Sequence, residues 1–295
     1  MAAQGKVIKN KIASVKNIRK ITKTMEMVSV AKMRRAVEKA IKSREFTREA
    51  YDMLALLSTR YALRAHHFFV TPAETQKILF VIIASNKGMC GGYNNAVAKE
   101  VKKNLQAHVG DAAVITIGKH ADKIAARSGV PIVASFADFS EDVSLDESLA
   151  LSKTLLQEFA TGQYSSIQVI ATHFIKTMQY EVRTTQLLPV AIELSQYYAG
   201  DSTVIPPQNT YLFEPTMTEV VDQIVPELVN AIVYQLLVDA FASEHSARMV
   251  AMKNATDSAG DLLGDLTLSY NQVRQANITQ ELSEIVAGAS ALHYS

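Results

Sequence analysis

The sequence predicts a long antiparallel coiled coil of N- and C-terminal helices with an inserted Rossmann-like α/β domain. Three observations predict it. Both ends of the 295-residue chain carry amphipathic periodicity far longer than a globular helix needs, and the two ends carry opposite charge. The stretch between them switches to short β-branched runs separated by helical ones. The expected division is an N-terminal coiled-coil helix over 1–65, an α/β domain over 75–210 and a C-terminal coiled-coil helix over 215–295.

The first helix is read from about Val7 to Arg60, a stretch without Gly or Pro. Its apolar residues Ile8, Ile12, Val15, Ile18, Ile21, Met25 and Val28 recur at steps of three and four, which places them on one helical face. The segment is also basic: Lys6 to Arg44 holds 13 Lys and Arg against Glu26 and Glu38, a net +11 that leaves −10 for the rest of a chain of net +1.

The middle of the chain reads as strands at 78–85, 113–117, 130–134, 167–173 and 182–189. Helical patterns at 93–108, 119–128 and 146–160 fit crossovers, so a three-layer domain with a mainly parallel sheet is expected. The last strand pair, around Val169 and Thr185, is the candidate for antiparallel pairing.

The C-terminal helix follows Pro215, where Thr216 and Glu219 have capping-box spacing. Its stripe opens with Val221, Val225, Leu228, Ile232 and Leu236 and resumes with Leu262, Leu266, Val273, Leu282 and Ile285. Pro226 lies more than a turn inside, so a kink or a later start is expected. Straight helices of these lengths reach roughly 80 and 110 Å, against a radius of gyration of about 19 Å for a compact chain of this size. Neither can be folded into one ball, and each needs a partner for its stripe. Between Glu219 and Leu292 ten acids face Arg248, Lys253 and Arg274, a net −7 that answers the basic helix. Strict apolar heptads are not sustained in either, which predicts an irregular supercoil.

Composition narrows the function. The longest unbroken apolar run, Ile78 to Ala84, is far short of the roughly 20 residues of a membrane span. The basic start is similar to a transit segment, but the same pattern continues for some fifty residues and is read as mature structure. The single cysteine, Cys90, has no internal disulfide partner, and CxxC and HExxH are absent. The seven histidines are scattered, only His66 and His67 being adjacent, so none is assigned to a metal. The turn Asn86-Lys87-Gly88-Met89-Cys90-Gly91-Gly92-Tyr93 invites a phosphate-loop reading, yet it has neither GxGxxG nor GxxxxGK with a following hydroxyl. A tight strand-to-helix turn or a partner contact is the plainer account. Glu281 and Glu284, one turn apart, suit a cation, acid–base work or a contact surface, and the last is preferred. The basic helix lacks interleaved aromatics, which argues against nucleic acid. A nucleotide-binding enzyme with helical arms and a basic coiled-coil nucleic-acid binder stand as the alternatives.

Three stretches carry a resemblance. IASVKNIRKITKTMEMVSVAKMRR, from Ile12 to Arg35, resembles the N-terminal helix of the gamma subunit of F-type ATP synthase. ARMVAMKNATDSAGDLLGDLTLSYNQVRQANITQELSEIVAGASAL, ending at Leu292, resembles its C-terminal helix, and GMCGGYN, Gly88 to Asn94, is similar to a third landmark of the family. Order and separation match over essentially the whole chain, with 106–162 only generically similar.

The resemblance implies a central rotor shaft, one copy per complex, inside a hexameric ring of alpha and beta subunits. It also implies an α/β domain resting on a membrane ring of c subunits and bound to epsilon. Proton or sodium flow then drives conformational cycling of beta for ATP synthesis or hydrolysis. The expected location is peripheral, on the cytoplasmic face of the bacterial plasma membrane. Catalytic residues belong to beta, so no catalytic, cofactor-binding or metal-binding residue is expected here. Carried over residue by residue, Met25, Lys32, Arg34 and Arg35 fall on the basic helix facing one loop of beta. Arg248, Gln275, Thr279, Glu281 and Glu284 fall where the C-terminal helix meets another. Ile285, Val286, Ala289 and Leu292 form the bearing tip, Tyr211, Phe213 and Glu214 the contact with the c ring and epsilon, and Gly88, Cys90, Gly91 and Gly92 the family turn. Ile18 and Val30 depart from the small or polar residues more usual there, and His293-Tyr294-Ser295 extends past the common end.

Overall fold

Absence of Gly and Pro from Lys6 onward lets one helix, α1, run Ala2–Thr59, starting ahead of Val7. The structure is a computed structural model that describes residues 2–59, 66–71, 76–108, 110–137, 139, 143–190 and 214–293. Strands and helices then alternate: β1 Ile78–Ile83, α2 Tyr93–Ala107, β2 Ala112–Ile117, α3 Lys119–Ser128, β3 Ile132–Phe136, α4 Leu145–Ala160, β4 Ser166–Lys176, β5 Gln179–Leu188 and α5 Met217–His293. The chain divides into two compact units, one made of Met1–Ser29 with Met249–Ser295 and the other of Val30–Arg248.

The first unit is an antiparallel helix pair. Thr256 Oγ1 donates to Thr22 Oγ1 at 2.8 Å. Nearer the N-terminus, a Cβ added at Gly5 would lie 3.8 Å from Val273 Cγ1. From Thr22 back to Gly5 and from Thr256 on to Val273 are both 17 residues, so the helices run in step. Ser29, Met252, Thr256 and Ala259 are buried between them, and Arg19 lies over Gly260. These are mostly small side chains, which allow close approach, while Ile18, Ile21, Met27, Val28, Leu262 and Leu268 are exposed.

Burial adds polar residues to the stripes read from apolar residues alone. On α1 a series of buried or half-buried positions, 8, 12, 15, 22, 26, 29, 33, 36, 40, 43, 47, 50, 54 and 57, falls at alternating steps of four and three with exposed Arg19 between 15 and 22, and positions such as 25, 30, 32, 37, 39, 44 and 51 are covered beside it. On α5 positions 252, 256, 259, 263, 266, 270, 273 and 277 do the same. Thr22, Glu26, Ser29, Ser43, Thr47 and Thr256 occupy these series without being apolar.

In the second unit five strands form one sheet in the order β3-β2-β1-β4-β5. The pairs β1–β2, β1–β4 and β2–β3 are parallel. β4 and β5 pair antiparallel, with Val169 opposite Thr185 as the sequence suggested. Alternation along β1 sends Phe80 and Ile82 toward Tyr93, Val97 and Val101 of α2 and Ala121 and Ile124 of α3. Leu79, Val81 and Ile83 face the other way, into a core with Leu151 and Leu155 of α4, Tyr51 and Leu54 of α1, and Val229, Ile232 and Leu237 of α5. The result is three layers, with part of the long helices serving as one of them.

Local chemistry fixes the joints. Gly118, at φ +91, brings the β2–α3 turn so near β1 that a Cβ would sit 2.2 Å from the Ala84 carbonyl oxygen. Ser144 and Glu147 form a reciprocal capping box at the start of α4. At α5 the Glu219 N–H donates to Thr216 Oγ1 at 3.3 Å. The helix passes through Pro226 unbroken, so the later start is not taken. Buried Val225, Leu228 and Val229 hold that turn in place although the Asp222 carbonyl loses its i+4 donor. α5 also contains an 18-residue window of mean hydropathy 1.5, long and apolar enough to cross a membrane, which a search for unbroken apolar runs passes over. Since 72% of that window is buried inside the protein, it has the character of a core helix.

Candidate functional site

The β1–α2 turn is closed by its own side chains. The Ser85 N–H donates to Asn94 Oδ1 at 3.2 Å, and Asn94 Nδ2 donates to Cys90 Sγ at 3.3 Å. Asn86 Nδ2 donates to the Phe139 carbonyl at 3.0 Å while its Oδ1 accepts the Lys119 N–H at 3.1 Å. Gly91 supplies a left-handed residue at φ 59, and Gly92 stands at the N-cap of α2 with an ordinary φ of −80. Cys90 is buried inside the turn.

Arg248 braces this turn from α5. Its Nε donates to the Gly88 carbonyl at 3.3 Å and its Nη2 to the Lys87 carbonyl at 2.9 Å. Nη2 also donates to Glu244 Oε1, and Nη1 lies 3.1 Å from His245 Nδ1. A phosphate loop aims peptide N–H groups at an anion. Here two carbonyls converge on a cation, the opposite polarity, so the turn is a joint between β1 and α5. Arg248 is only 6% exposed. It is therefore not part of the outward polar surface expected of it, because its donors are used within the chain. His120, at the start of α3, has its imidazole pKa lowered by burial and by Lys123, Arg127 and Arg248.

A second polar cluster ties α1 to α5 inside the same unit. Asp239 accepts from Arg44 Nη2 at 3.3 Å and from Gln235 Nε2 at 3.1 Å, with His173 Nδ1 at 2.7 Å. Ser43 Oγ donates to Gln235 Oε1 at 2.6 Å. Sequence reading passed over these residues, since an Asp on an apolar stripe looks like solvated surface until its partners are seen.

Most of the other predicted residues that the structure describes lie at the surface. Arg34 and Arg35 are exposed on α1 and Lys32 is half-buried; Met25, in the first unit, is half-buried. Gln275, Thr279, Glu281 and Glu284 are exposed on α5, where Gln280 Nε2 donates to Glu284 Oε1 at 2.9 Å. α5 continues past the level of Gly5, and every residue from 278 to 287 is exposed. Ile278, Leu282 and Ile285 form a stripe at steps of four and three, joined by Val286, and Ile285 is 67% exposed. Ala289 is exposed, and Leu292 is helical, its side chain lying outside the described residues. Glu214 is exposed, whereas Tyr211 and Phe213 lie outside the described residues.

One grouping was missed entirely. His66 Nε2 lies 3.2 Å from Asp222 Oδ1, and His67 completes a trio whose ligand atoms are all within 4.8 Å of one another. The carboxylate comes from α5, far away in sequence. The His67 pKa is lowered by burial and by His66, against an opposing pull from Asp222.

Comparison with known proteins covers nearly all of the chain. Residues 4–292 match the family model described as ATP synthase. The chain is 40% identical to the ATP synthase gamma chain of Variovorax paradoxus, over 98% of each protein. It is 33% identical to that of Heliobacterium modesticaldum, over 97% of this chain and 98% of the relative. In fold it is similar to a chain of the Euglena gracilis mitochondrial ATP synthase (rotational state 3), at a TM-score of 0.68 and 21% identity, covering 99% of this chain and 96% of the other. A chain from the central stalk and c-ring of the Tetrahymena thermophila enzyme gives a TM-score of 0.62 at 24% identity, covering 80% and 99%.

Proposed function

The chain belongs to the ATP synthase gamma-chain family, and from that premise we propose that it is a rotor shaft that acts through contact surfaces and has no catalytic residues of its own. The observation that carries this reading is the end of α5, which leaves Ile278, Leu282, Ile285 and Val286 exposed among the described residues. A stripe of that kind is unfavourable in water and marks an interaction surface. Ile285, Val286, Ala289 and Leu292 seat in a sleeve formed by the alpha–beta ring. Gln275, Thr279, Glu281 and Glu284 meet one loop of beta; Met25, Lys32, Arg34 and Arg35 meet another. Arg248 stands behind that surface as a brace.

Exposed ion pairs contribute about 0–1 kcal/mol each. Contacts of this strength can bias a beta subunit and still release as the shaft turns. By the same resemblance Tyr211, Phe213 and Glu214 are the proposed contact with epsilon and the c ring, at the cytoplasmic face of a bacterial plasma membrane. The phosphate-loop alternative lacks support because the turn offers carbonyls in place of N–H donors.

The test is reconstitution. Alone, the chain should not hydrolyse ATP. Mixed with alpha and beta it should form a complex with one copy of itself, and ATP turnover in that complex should rotate a probe fixed to the α/β part. ATP hydrolysis by the isolated chain, or failure to enter the complex, overturns the proposal.

A further inference from the structure

We propose that His66, His67 and Asp222 form a binding site for a borderline divalent transition-metal ion, for which Zn²⁺ is the matching probe. Zinc ligands at about 2.0–2.2 Å in a tetrahedron are separated by roughly 3.3–3.5 Å. The His66 Nε2 to Asp222 Oδ1 distance of 3.2 Å already has the length of one such edge. With all three ligand atoms within 4.8 Å, rotation of the exposed His67 side chain closes the other two. Two imidazoles and one carboxylate suit zinc, whereas magnesium and calcium prefer all-oxygen shells.

The site is partly built before any ion arrives. The His66 side chain is only 8% exposed, and its ring stacks on His67 at 4.5 Å and lies 5.3 Å from Phe68. His67 and Asp222 are exposed, which leaves water a path to the remaining coordination positions. The Phe68 N–H reaches His66 Nδ1 at 3.5 Å, a long hydrogen bond. In the metal-free pair His66 Nε2 thus donates to Asp222; metal binding moves the ring hydrogen to Nδ1 and gives up the long contact.

The consequence is a clip. It joins residues 66 and 222 and holds an early turn of α5 to the segment that follows α1, closing a loop of 156 residues, the kind of long closure for which a metal link contributes most. This inference does not depend on the rotor reading.

The tag-free full chain, stripped with a chelator, is titrated with zinc chloride by calorimetry, with magnesium chloride in parallel. One zinc per chain is expected, with a rise in Tm, and no response to magnesium. His67→Gln and Asp222→Asn should each weaken zinc binding by at least about tenfold while melting like the parent chain in chelator. X-ray absorption of the zinc-loaded parent should show a mixed nitrogen and oxygen shell. Absence of stoichiometric zinc binding, binding unaltered by either substitution, or a shell of sulfur or of oxygen alone overturns the proposal and leaves an ordinary His–Asp ion pair.

Discussion

Arg248 Nη2 donates to the Lys87 carbonyl across 2.9 Å, joining residues 161 positions apart and locking the first turn of the α/β layers to α5. The same guanidinium is paired with Glu244, which is 2% exposed. Removing one partner of a buried ion pair strands the other, so Arg248→Ala should destabilise the second unit by about 3–5 kcal/mol. Arg248→Lys keeps a charge beside Glu244 but cannot reach both carbonyls, and it should fall between. Urea unfolding of the full chain gives both values; a loss below about 1 kcal/mol for Arg248→Ala contradicts the brace.

The Thr22–Thr256 contact predicts a double-mutant signature. Replacing either residue by Val removes the bond between the helices, while the remaining hydroxyl keeps a carbonyl of its own helix, Arg19 for Thr22 or Met252 for Thr256, so each change should cost about 1 kcal/mol. Replacing both loses the same single bond only once, so the double variant should lose less than the sum of the two single losses. Helix content followed through thermal melting of the four chains decides the matter, and strictly additive losses count against a coupled pair.

What the sequence revealed and what it hid follow from the same physics. Helices and strands were legible because apolar residues mark the period, and even the pairing of Val169 with Thr185 was within reach. The polar residues among the covered positions of α1 were not, because Thr22, Glu26, Ser29 and Thr47 fill places that an apolar search leaves blank. The metal-type trio and the Asp239 cluster were hidden for another reason: each includes a tie from α5 to a residue more than 150 positions away, and one sequence carries no record of such distances. Gln275, Thr279, Glu281 and Glu284 are exposed, as contact positions need to be, whereas the burial of Arg248 was not legible, since a basic residue on a helix reads as surface until its partners are placed.

The unpartnered stripe makes a prediction that separates stability from function. Leu282→Glu and Ile285→Glu change side chains that touch little within the chain, so the isolated protein should lose no more than about 0.5 kcal/mol. In the reconstituted complex the same changes put a carboxylate where the proposed sleeve is apolar, and assembly or torque should fall. Chemical denaturation and single-molecule rotation are the two readouts. A large stability loss in the isolated chain contradicts the stripe's lack of an internal partner.

His120 supplies a pH dependence with a definite sign. Burial and the cations Lys123, Arg127 and Arg248 hold its pKa below the usual imidazole value of about 6.5. The unfolded chain therefore takes up this proton first as pH falls, and folding must forgo it. The contribution to stability is intact above about pH 6.5, declines as pH drops toward the folded-state pKa, and is constant below it. His120→Gln keeps a polar side chain without the titration, so the difference in unfolding free energy between parent and variant should shift in the variant's favour across that window. Urea titrations at matched ionic strength between about pH 7.5 and 5 measure the difference. A parent that gains stability relative to the variant on acidification would mean that the imidazolium is welcomed in the fold, against the lowered pKa.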